Sequence, residues 1–143
     1  MTQPTEQETR QMIAVINARN VDKVVEQYAE NATFQAPSMA TPIHGKNAIR
    51  AYYQGNFAAF PDWTIEPSEV FVSGTTTVVV NSVHGTHTGP FTSQNGKETI
   101  APTNRKVSQD LVTRLVFNEH GKVQSLRSYG NPADLYSQLG IAK

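Results

Sequence analysis

The chain contains no cysteine. Disulfide bridges, zinc sites built from thiolates and cysteine nucleophiles are therefore excluded. An excess of charge of one sign is also missing, because the 12 basic and 12 acidic side chains cancel. Such a balance gives no general attraction to nucleic acid or to an anionic membrane surface, so we predict neither as a partner.

Long apolar runs are absent as well. No stretch approaches the roughly 18 apolar residues that a transmembrane helix needs. The first ten residues, MTQPTEQETR, are polar and do not resemble a secretory signal, which predicts a cytoplasmic location. A chain of 143 residues suffices for one domain with a hydrophobic core and is too short for two, so we predict a single domain over residues 1–143.

Helical signals are concentrated in the first 60 residues. Thr5, followed three residues later by a glutamate, predicts a capped helix over residues 5–18. Asn20 is placed to cap a second helix, with Tyr28 on its apolar face. A third helix is predicted over residues 46–59 from its stripe of aromatic and aliphatic side chains.

Strand signals dominate the rest of the chain. A short strand is predicted at ENATFQAP, and longer ones at TIEPSEVFVSG, TTTVVVNSVHGTH, RKVSQDLVTRLVF and KVQSLRSYG. The last segment, NPADLYSQLG, is typical of a short helix or turn. Helices followed by strands predict an α+β fold, in which N-terminal helices pack on a strongly curved antiparallel or mixed β-sheet. A cavity between such a sheet and its helices is a usual site for a small ligand.

Two histidines, His84 and His87, lie three residues apart in VHGTHTGPF. A zinc site needs three protein ligands on converging elements, whereas side chains at this spacing on a strand point to opposite faces. We therefore predict no metal site. Strand parity places His87 on the same face as Asn81 and Val83.

Several short motifs lie along nearly the whole chain: HGKNAIRAYY, AFPDW, GTHTGPF, PTNRKV, HGKV and QLG. Together they resemble the SnoaL-like polyketide cyclase family, a branch of the cone-shaped α+β barrel superfamily that includes ketosteroid isomerase. The most specific part is GTHTG followed by QLG at this order and distance. The resemblance implies a cone-shaped barrel with an internal pocket, and a homodimer formed through the outer sheet face. It also implies a cofactor-free acid/base reaction on a hydrophobic, carbonyl-bearing substrate.

The resemblance suggests two candidate catalytic residues. The acid/base aspartate of SnoaL-like cyclases falls at Asn131, whose amide can polarise a carbonyl but cannot transfer a proton. His87 has a suitable pKa for acid/base work and is expected in the pocket, because relatives place large pocket-facing side chains at Asn81 and Val83. The alternatives are that Asn131 caps the terminal helix, and that His87 is a strand-end histidine bonded to backbone.

Other polar residues are expected to contact the substrate, although Tyr28 also fits a plain core position. The phase of the last strand is open, so either Leu126 and Ser128 or Arg127 and Tyr129 face the pocket. The predicted substrate-binding residues are Tyr28, Asn81, Gln109, Thr113, Ser128 and Tyr129.

Three functions are compatible with these patterns. The first is a cofactor-independent isomerase, cyclase or lyase. The second is a non-catalytic module that binds a small hydrophobic ligand, since the aspartate of the family is replaced by Asn131. The third is an accessory dimer in which the outer sheet face matters most. The polar loop from Thr92 to Thr103 is either a mobile lid or a solvated connection.

Overall fold

Helices occupy the N-terminal part of the chain and strands most of the rest, in a computed structural model that describes residues 4–92 and 99–140. The helices are α1 Glu6–Asn17, α2 Val21–Glu26, α3 Lys46–Ala59 and α4 Pro132–Gln138. The strands are β1 Tyr28–Gln35, β2 Ile43–His44, β3 Thr64–Ser73, β4 Thr76–Thr86, β5 Phe91–Thr92, β6 Thr99–Ile100, β7 Lys106–Phe117 and β8 Val123–Tyr129. None of these helices has the length and apolarity of a membrane span.

The helix starts follow the predicted caps. The Thr5 hydroxyl accepts from the backbone N–H of Glu8 at 3.0 Å, so Thr5 is the cap that the sequence predicts. The Glu8 carboxylate accepts from the Thr5 hydroxyl at 3.0 Å, whereas in a capping box it accepts from the backbone N–H of the cap residue. The side chain of Asn20 accepts from the backbone N–H of Lys23 at the start of α2. The third helix has the predicted bounds.

The end of α2 differs from the prediction. This helix stops at Glu26, and Tyr28 is the first residue of β1, so its expected place on a helix face is wrong. The backbone carbonyl of Gln27 accepts from the N–H of Val123 at 2.8 Å, and Tyr28 pairs with Val123 in the sheet. Strand pairing with a distant segment therefore overrides the local helical spacing.

The main sheet has six strands within the described residues, in the order β2-β1-β8-β7-β4-β3. Its neighbours are antiparallel except for β1 and β8, which run parallel, so the sheet is mixed. Register shifts interrupt β1–β8, β3–β4 and β7–β8, and such bulges increase bending and twist. The sheet curls around the helices without closing, which confirms the predicted α+β architecture on a strongly curved mixed sheet.

Two hydrophobic cores fill the concave side of the sheet. In the larger one α1 and α3 pack on the inner faces of β1, β4, β7 and β8. Its buried members include Met12, Ile13, Ile16, Ile49, Tyr53, Val79, Leu115 and Leu126. The second core lies where α3 ends and α4 docks, and its buried members are Ala59, Phe60, Phe91, Val107 and Leu139.

The candidate lid lies mostly between the short strands β5 and β6, where Phe91 pairs with Ile100. Its central residues, 93–98, are outside the described part of the chain. The lid therefore stays a prediction.

Candidate functional site

A cavity of ≈ 90 Å³ lies in the larger core, between α1, α3 and the concave face of the sheet. Its apolar lining includes Met12, Ile13, Ile16, Phe34, Trp63, Ile65, Val79, Val83, Leu111, Leu115 and Leu126. Its polar lining comprises Tyr52, Tyr53, Asn56, Asn81, Thr113 and Ser128. Drug-sized ligands occupy pockets of roughly 300–1,000 Å³, so a cavity of this volume suits a smaller molecule.

Three of the polar side chains form a cluster on neighbouring strands. The register places Thr113 of β7 opposite Ser128 of β8, and their hydroxyl oxygens are 2.9 Å apart. Thr113 Oγ1 also lies 3.4 Å from the Asn81 side chain on β4. With its amide nitrogen oriented toward the backbone carbonyls of Val79 at 3.2 Å and Leu111 at 2.9 Å, Asn81 donates to both. Two hydroxyls therefore provide an adaptable donor and acceptor on an otherwise apolar wall.

A pair of buried tyrosines stands on the other side of the cavity. The hydroxyl of Tyr28 is 2.7 Å from that of Tyr53, and the Tyr28 hydroxyl has no other hydrogen-bond partner among residues 4–92 and 99–140. If Tyr53 donated to Tyr28, the Tyr28 proton would be buried without an acceptor, which costs about 1–3 kcal/mol. Donation in the other direction leaves the Tyr53 proton without a protein acceptor instead, but Tyr53 lines the cavity and Tyr28 does not. Donation from Tyr28 to Tyr53 therefore presents the Tyr53 proton to an acceptor of a ligand.

Burial keeps these phenols protonated. It raises the pKa of Tyr52 to about 12 and raises the pKa values of Tyr28 and Tyr53 above their usual range. No aspartate, glutamate, histidine, lysine or arginine is among the described residues that line the cavity. The lining can therefore donate hydrogen bonds to a neutral oxygen, but it offers no group that accepts a proton near neutral pH.

The structure places His87 on the concave face, as strand parity predicts, but outside the cavity. Its side chain is fully buried in the second core, with ring centroids 5.5 Å from Phe60 and 6.3 Å from Phe91. Phe60 and Trp63 pack against Gly85, two residues before His87, where an added Cβ would lie 3.0–3.1 Å from them. Phe60 contacts both the imidazole and Trp63, and Trp63 lines the cavity, so these two aromatic side chains lie between His87 and the ligand-sized space.

Asn131 and Gln109 also lie outside the cavity lining. The side chain of Asn131 accepts from the backbone N–H of Ala133 at 3.0 Å and caps α4, which is the structural alternative considered for it. The Gln109 amide donates to the backbone carbonyl of Asn131 at 3.3 Å. The structure thus joins these two residues to each other and does not bring either one together with His87 at a ligand.

The phase of the last strand is fixed by its pairing with β7. Leu126 and Ser128 face the cavity, whereas Tyr129 is 42% exposed on the opposite face. There the guanidinium of Arg127 lies 4.7 Å from the Tyr129 ring centroid. Of the predicted substrate-binding residues, Asn81, Thr113 and Ser128 line the cavity, and Tyr28 reaches it through Tyr53.

Tyr53 is the main polar residue of the cavity that the sequence analysis does not identify. Its spacing on α3 is that of an ordinary core aromatic, and nothing local indicates that its hydroxyl meets Tyr28 of β1. The signal available in the sequence is its place in a helix stripe that also carries Asn56, a polar residue facing the same space.

The two motifs that carry most of the resemblance meet in the second core. GTHTG contributes His87, and QLG contributes Leu139, which is 2% exposed. The Gln138 amide donates to the Ser108 carbonyl at 2.7 Å and accepts from the Ser108 N–H at 2.6 Å, so it ties α4 to β7. In this chain both motifs build structure away from the cavity. The described residues also contain no group of three or more side chains suited to hold a metal ion.

Comparison with known proteins gives a match to a sequence model of the SnoaL-like domain over residues 9–126. Among solved structures, the chain is similar to a candidate SnoaL-like polyketide cyclase from Jannaschia sp. CCS1 (TM-score 0.78, 17% identity, 100% of this chain and 99% of that one). It is also similar to AclR, a candidate hydroxylase from Streptomyces galilaeus (TM-score 0.75, 22% identity, 92% and 78%). A third similar structure is SalBIII, an epoxide hydrolase/cyclase-like enzyme of pyran ring formation in salinomycin (TM-score 0.73, 24% identity, 88% and 89%). At these identities the structures show a shared fold.

Proposed function

The chain belongs to the SnoaL-like family, and from this premise we propose that it binds a small, largely apolar molecule with one carbonyl or comparable oxygen. The match confirms the resemblance seen in the sequence motifs, and the family is of the cyclase and isomerase type. The ligand site is the cavity between α1, α3 and the sheet. The carbonyl oxygen of the ligand would accept from the Tyr53 hydroxyl, with the Thr113–Ser128 pair as the second polar contact.

The observation that carries the proposal is the chemistry of the cavity lining. It combines an apolar wall with protonated phenol and hydroxyl donors, and it includes no carboxylate or imidazole. Binding of a neutral oxygen-bearing molecule needs only these donors. Acid/base turnover needs a group that takes up a proton. The candidate for that role, His87, is bonded to Thr103 outside the cavity, and Asn131, which could only polarise a carbonyl, caps α4.

A second candidate is the cofactor-free isomerase, cyclase or lyase. The tyrosine pair favours it, because a phenol that itself accepts a hydrogen bond is a stronger donor and polarises a carbonyl. In this case the cavity would position and polarise the substrate, without proton transfer to a lining side chain.

The first experiment titrates the protein with cyclohexanone, a compact neutral ketone, followed by protein NMR and by the infrared carbonyl stretch. We expect saturable binding with a lowered stretching frequency. Tyr53→Phe should weaken binding about tenfold and remove the frequency shift, since one hydrogen bond is lost. Tyr129→Phe, on the exposed face, is the matched control and should change neither. Equal affinity and frequency in wild type and Tyr53→Phe would refute the donor role.

The same sample separates binding from catalysis. In D₂O, a site that polarises the ketone carbonyl lets solvent take up an α-proton of cyclohexanone and return a deuteron, and mass spectrometry detects the exchange. We expect no exchange above the buffer rate. Exchange that disappears in Tyr53→Phe would favour the enzyme over the binding module.

We further propose a homodimer formed through the outer face of the sheet. This face carries Phe71, Val112 and Tyr129, which are 56%, 40% and 42% exposed, an unusual share for large apolar side chains. Sedimentation velocity should show a dimer for the wild type and a monomer for Val112→Asp. Gln54→Asp on the exposed side of α3 should remain dimeric, and a wild-type monomer at high concentration would contradict the proposal.

A further inference from the structure

A second hollow lies beside α1, where the helix faces α2 and the end of β7. It is a groove of ≈ 500 Å³ formed by α1, α2 and the turn between β7 and β8. Its apolar lining includes Met12, Val15 and Phe117. Its charged lining balances two carboxylates with two ammonium groups, from Glu8, Glu26, Lys23 and Lys122. The fold does not require such a space, because the helix is already packed on the sheet by its other apolar face.

Met12 belongs to both spaces. Its side chain lines the inner cavity and the outer groove, and only 5% of it is exposed. Methionine is unbranched and has three rotatable bonds, so its side chain changes conformation more easily than a β-branched or aromatic wall would. Met12 is therefore the side chain whose rotation would connect the cavity to the groove.

Gln27 provides a hydrogen-bond acceptor in the lining of the groove. Its side-chain oxygen Oε1 is buried and has no hydrogen-bond partner among the described residues, although the residue lines the groove. Buried acceptors are nearly always satisfied in folded proteins, so this oxygen needs a donor, which either an ordered water or a bound molecule can supply. Its backbone is fixed, because the Gln27 carbonyl accepts from the N–H of Val123 at 2.8 Å.

We propose that the cavity and the groove are two halves of one site for an elongated, neutral, amphipathic molecule. The carbonyl end occupies the cavity, the chain passes the displaced Met12 side chain, and a hydroxyl at the far end donates to Gln27 Oε1. This inference rests on the proposed function, because it assigns the cavity to the carbonyl end. It also accounts for the small inner cavity, since the two spaces together reach the roughly 300–1,000 Å³ of ordinary ligand sites.

The test uses three probes on the full chain: cyclohexanone, decan-2-one and 10-hydroxydecan-2-one. Affinities are measured by NMR titration or calorimetry. We expect the hydroxyketone to bind wild type about tenfold tighter than decan-2-one, as one hydrogen bond to a desolvated acceptor provides. Gln27→Met keeps the length of the side chain but lacks the acceptor, and it should abolish this preference.

A second variant fills the groove without touching the cavity lining. Val15→Trp should weaken both ten-carbon ketones about tenfold or more and change cyclohexanone binding less than twofold. Ala14→Trp, on the exposed side of the same helix, is the matched control and should change none of the three affinities. Thermal unfolding of each variant checks that the fold is retained.

A third readout needs no substitution. In protein labelled with ¹³C at the methionine methyl groups, the ten-carbon ketones should shift the Met12 resonance strongly and show contacts to it, with Met39 as the buried reference. An unmoved Met12 methyl, or a Val15→Trp variant that binds the hydroxyketone as wild type does, overturns the inference. Cyclohexanone binding without any binding of the longer ketones overturns it and leaves the proposed function standing. Binding of none of the probes overturns both.

Discussion

Nδ1 of His87 accepts a hydrogen bond from the backbone N–H of Thr103 at 3.2 Å. Because Nδ1 is the acceptor, the proton of the neutral ring is on Nε2, which is buried and has no partner within the described residues. Protonation would remove the acceptor and place a charge between Phe60 and Phe91. Burial accordingly lowers the pKa of His87 from its ordinary value of 6.5.

This pairing predicts a pH-dependent stability. The folded state binds the His87 proton less readily than the unfolded chain, so the contribution of the neutral ring is complete above about pH 6.5 and is lost as the pH falls toward the lowered pKa. Urea unfolding at pH 8 and pH 5.5 should show a drop in the free energy of unfolding. His87→Gln should be less stable at pH 8 but show a smaller drop. His84→Gln is the control, since His84 is partly exposed, and its drop should equal that of the wild type. If His87→Gln showed the same drop as the wild type, His87 would not be the source of the pH dependence.

Replacing either of two glycines with alanine should change the free energy of unfolding, in opposite directions at the two positions. At Gly89 an added Cβ would overlap the backbone carbonyl oxygen of Ala58, which cannot move without distorting α3. We expect Gly89→Ala to lower the free energy of unfolding by about 3 kcal/mol or more. At Gly55, inside α3, an added Cβ meets nothing within 4 Å, so Gly55→Ala should raise it by about 0.5–1 kcal/mol. Chemical denaturation of both variants measures this contrast, and equal effects would show that the packing at Gly89 is not as tight as described.

Substitution of Asn131 should change the free energy of unfolding and leave ligand affinity unchanged. Asn131→Ala removes the side-chain acceptor at the start of α4 and should cost about 1 kcal/mol, whereas Asn131→Asp keeps the cap and should cost little. Both variants should bind cyclohexanone as wild type does. A loss of affinity in Asn131→Ala at unchanged stability would return this residue to the ligand site.

The tyrosine pair should show strong coupling. Tyr53→Phe leaves the buried Tyr28 hydroxyl without a partner and should lower the free energy of unfolding by about 1–3 kcal/mol. The double variant Tyr28→Phe with Tyr53→Phe should be less destabilised than the sum of the two single variants, because it leaves no orphan. Denaturant unfolding of the four proteins gives the coupling energy, and strict additivity would mean that the hydroxyls do not form the pair.

The sequence predicts those parts of the fold that depend on residues close to one another along the chain. The caps at Thr5 and Asn20 and the bounds of α3 follow from side chains within a few residues of one another. Tyr28 shows where this reasoning stops, since its spacing fits a helix but its strand partner Val123 is 95 positions away. Pairing at that distance has no local signature.

The sequence predicts which face of the sheet each site residue occupies, but not whether its side chain reaches the cavity. Alternation along β4 and β7 correctly gives the inward direction of Asn81 and Thr113, because each side chain is two residues from the next on its strand. The same alternation gives the face of His87 but not the aromatic side chains that shield it, since these come from the end of α3 and the residues after it. Ser128 and Tyr129 could be separated only once the register of β8 against β7 was known.

The parallel contact of β1 with β8 also bears on how the chain reaches its native state. Residues 28–35 have only the two-residue strand β2 as another partner in the sheet, so their main neighbour is complete only when Tyr129 has been made. During synthesis the first 122 residues therefore emerge with β1 lacking its main partner in the sheet. Such long-range closure slows folding and prolongs exposure to aggregation. We expect truncation before β8 to leave a species that chaperones retain.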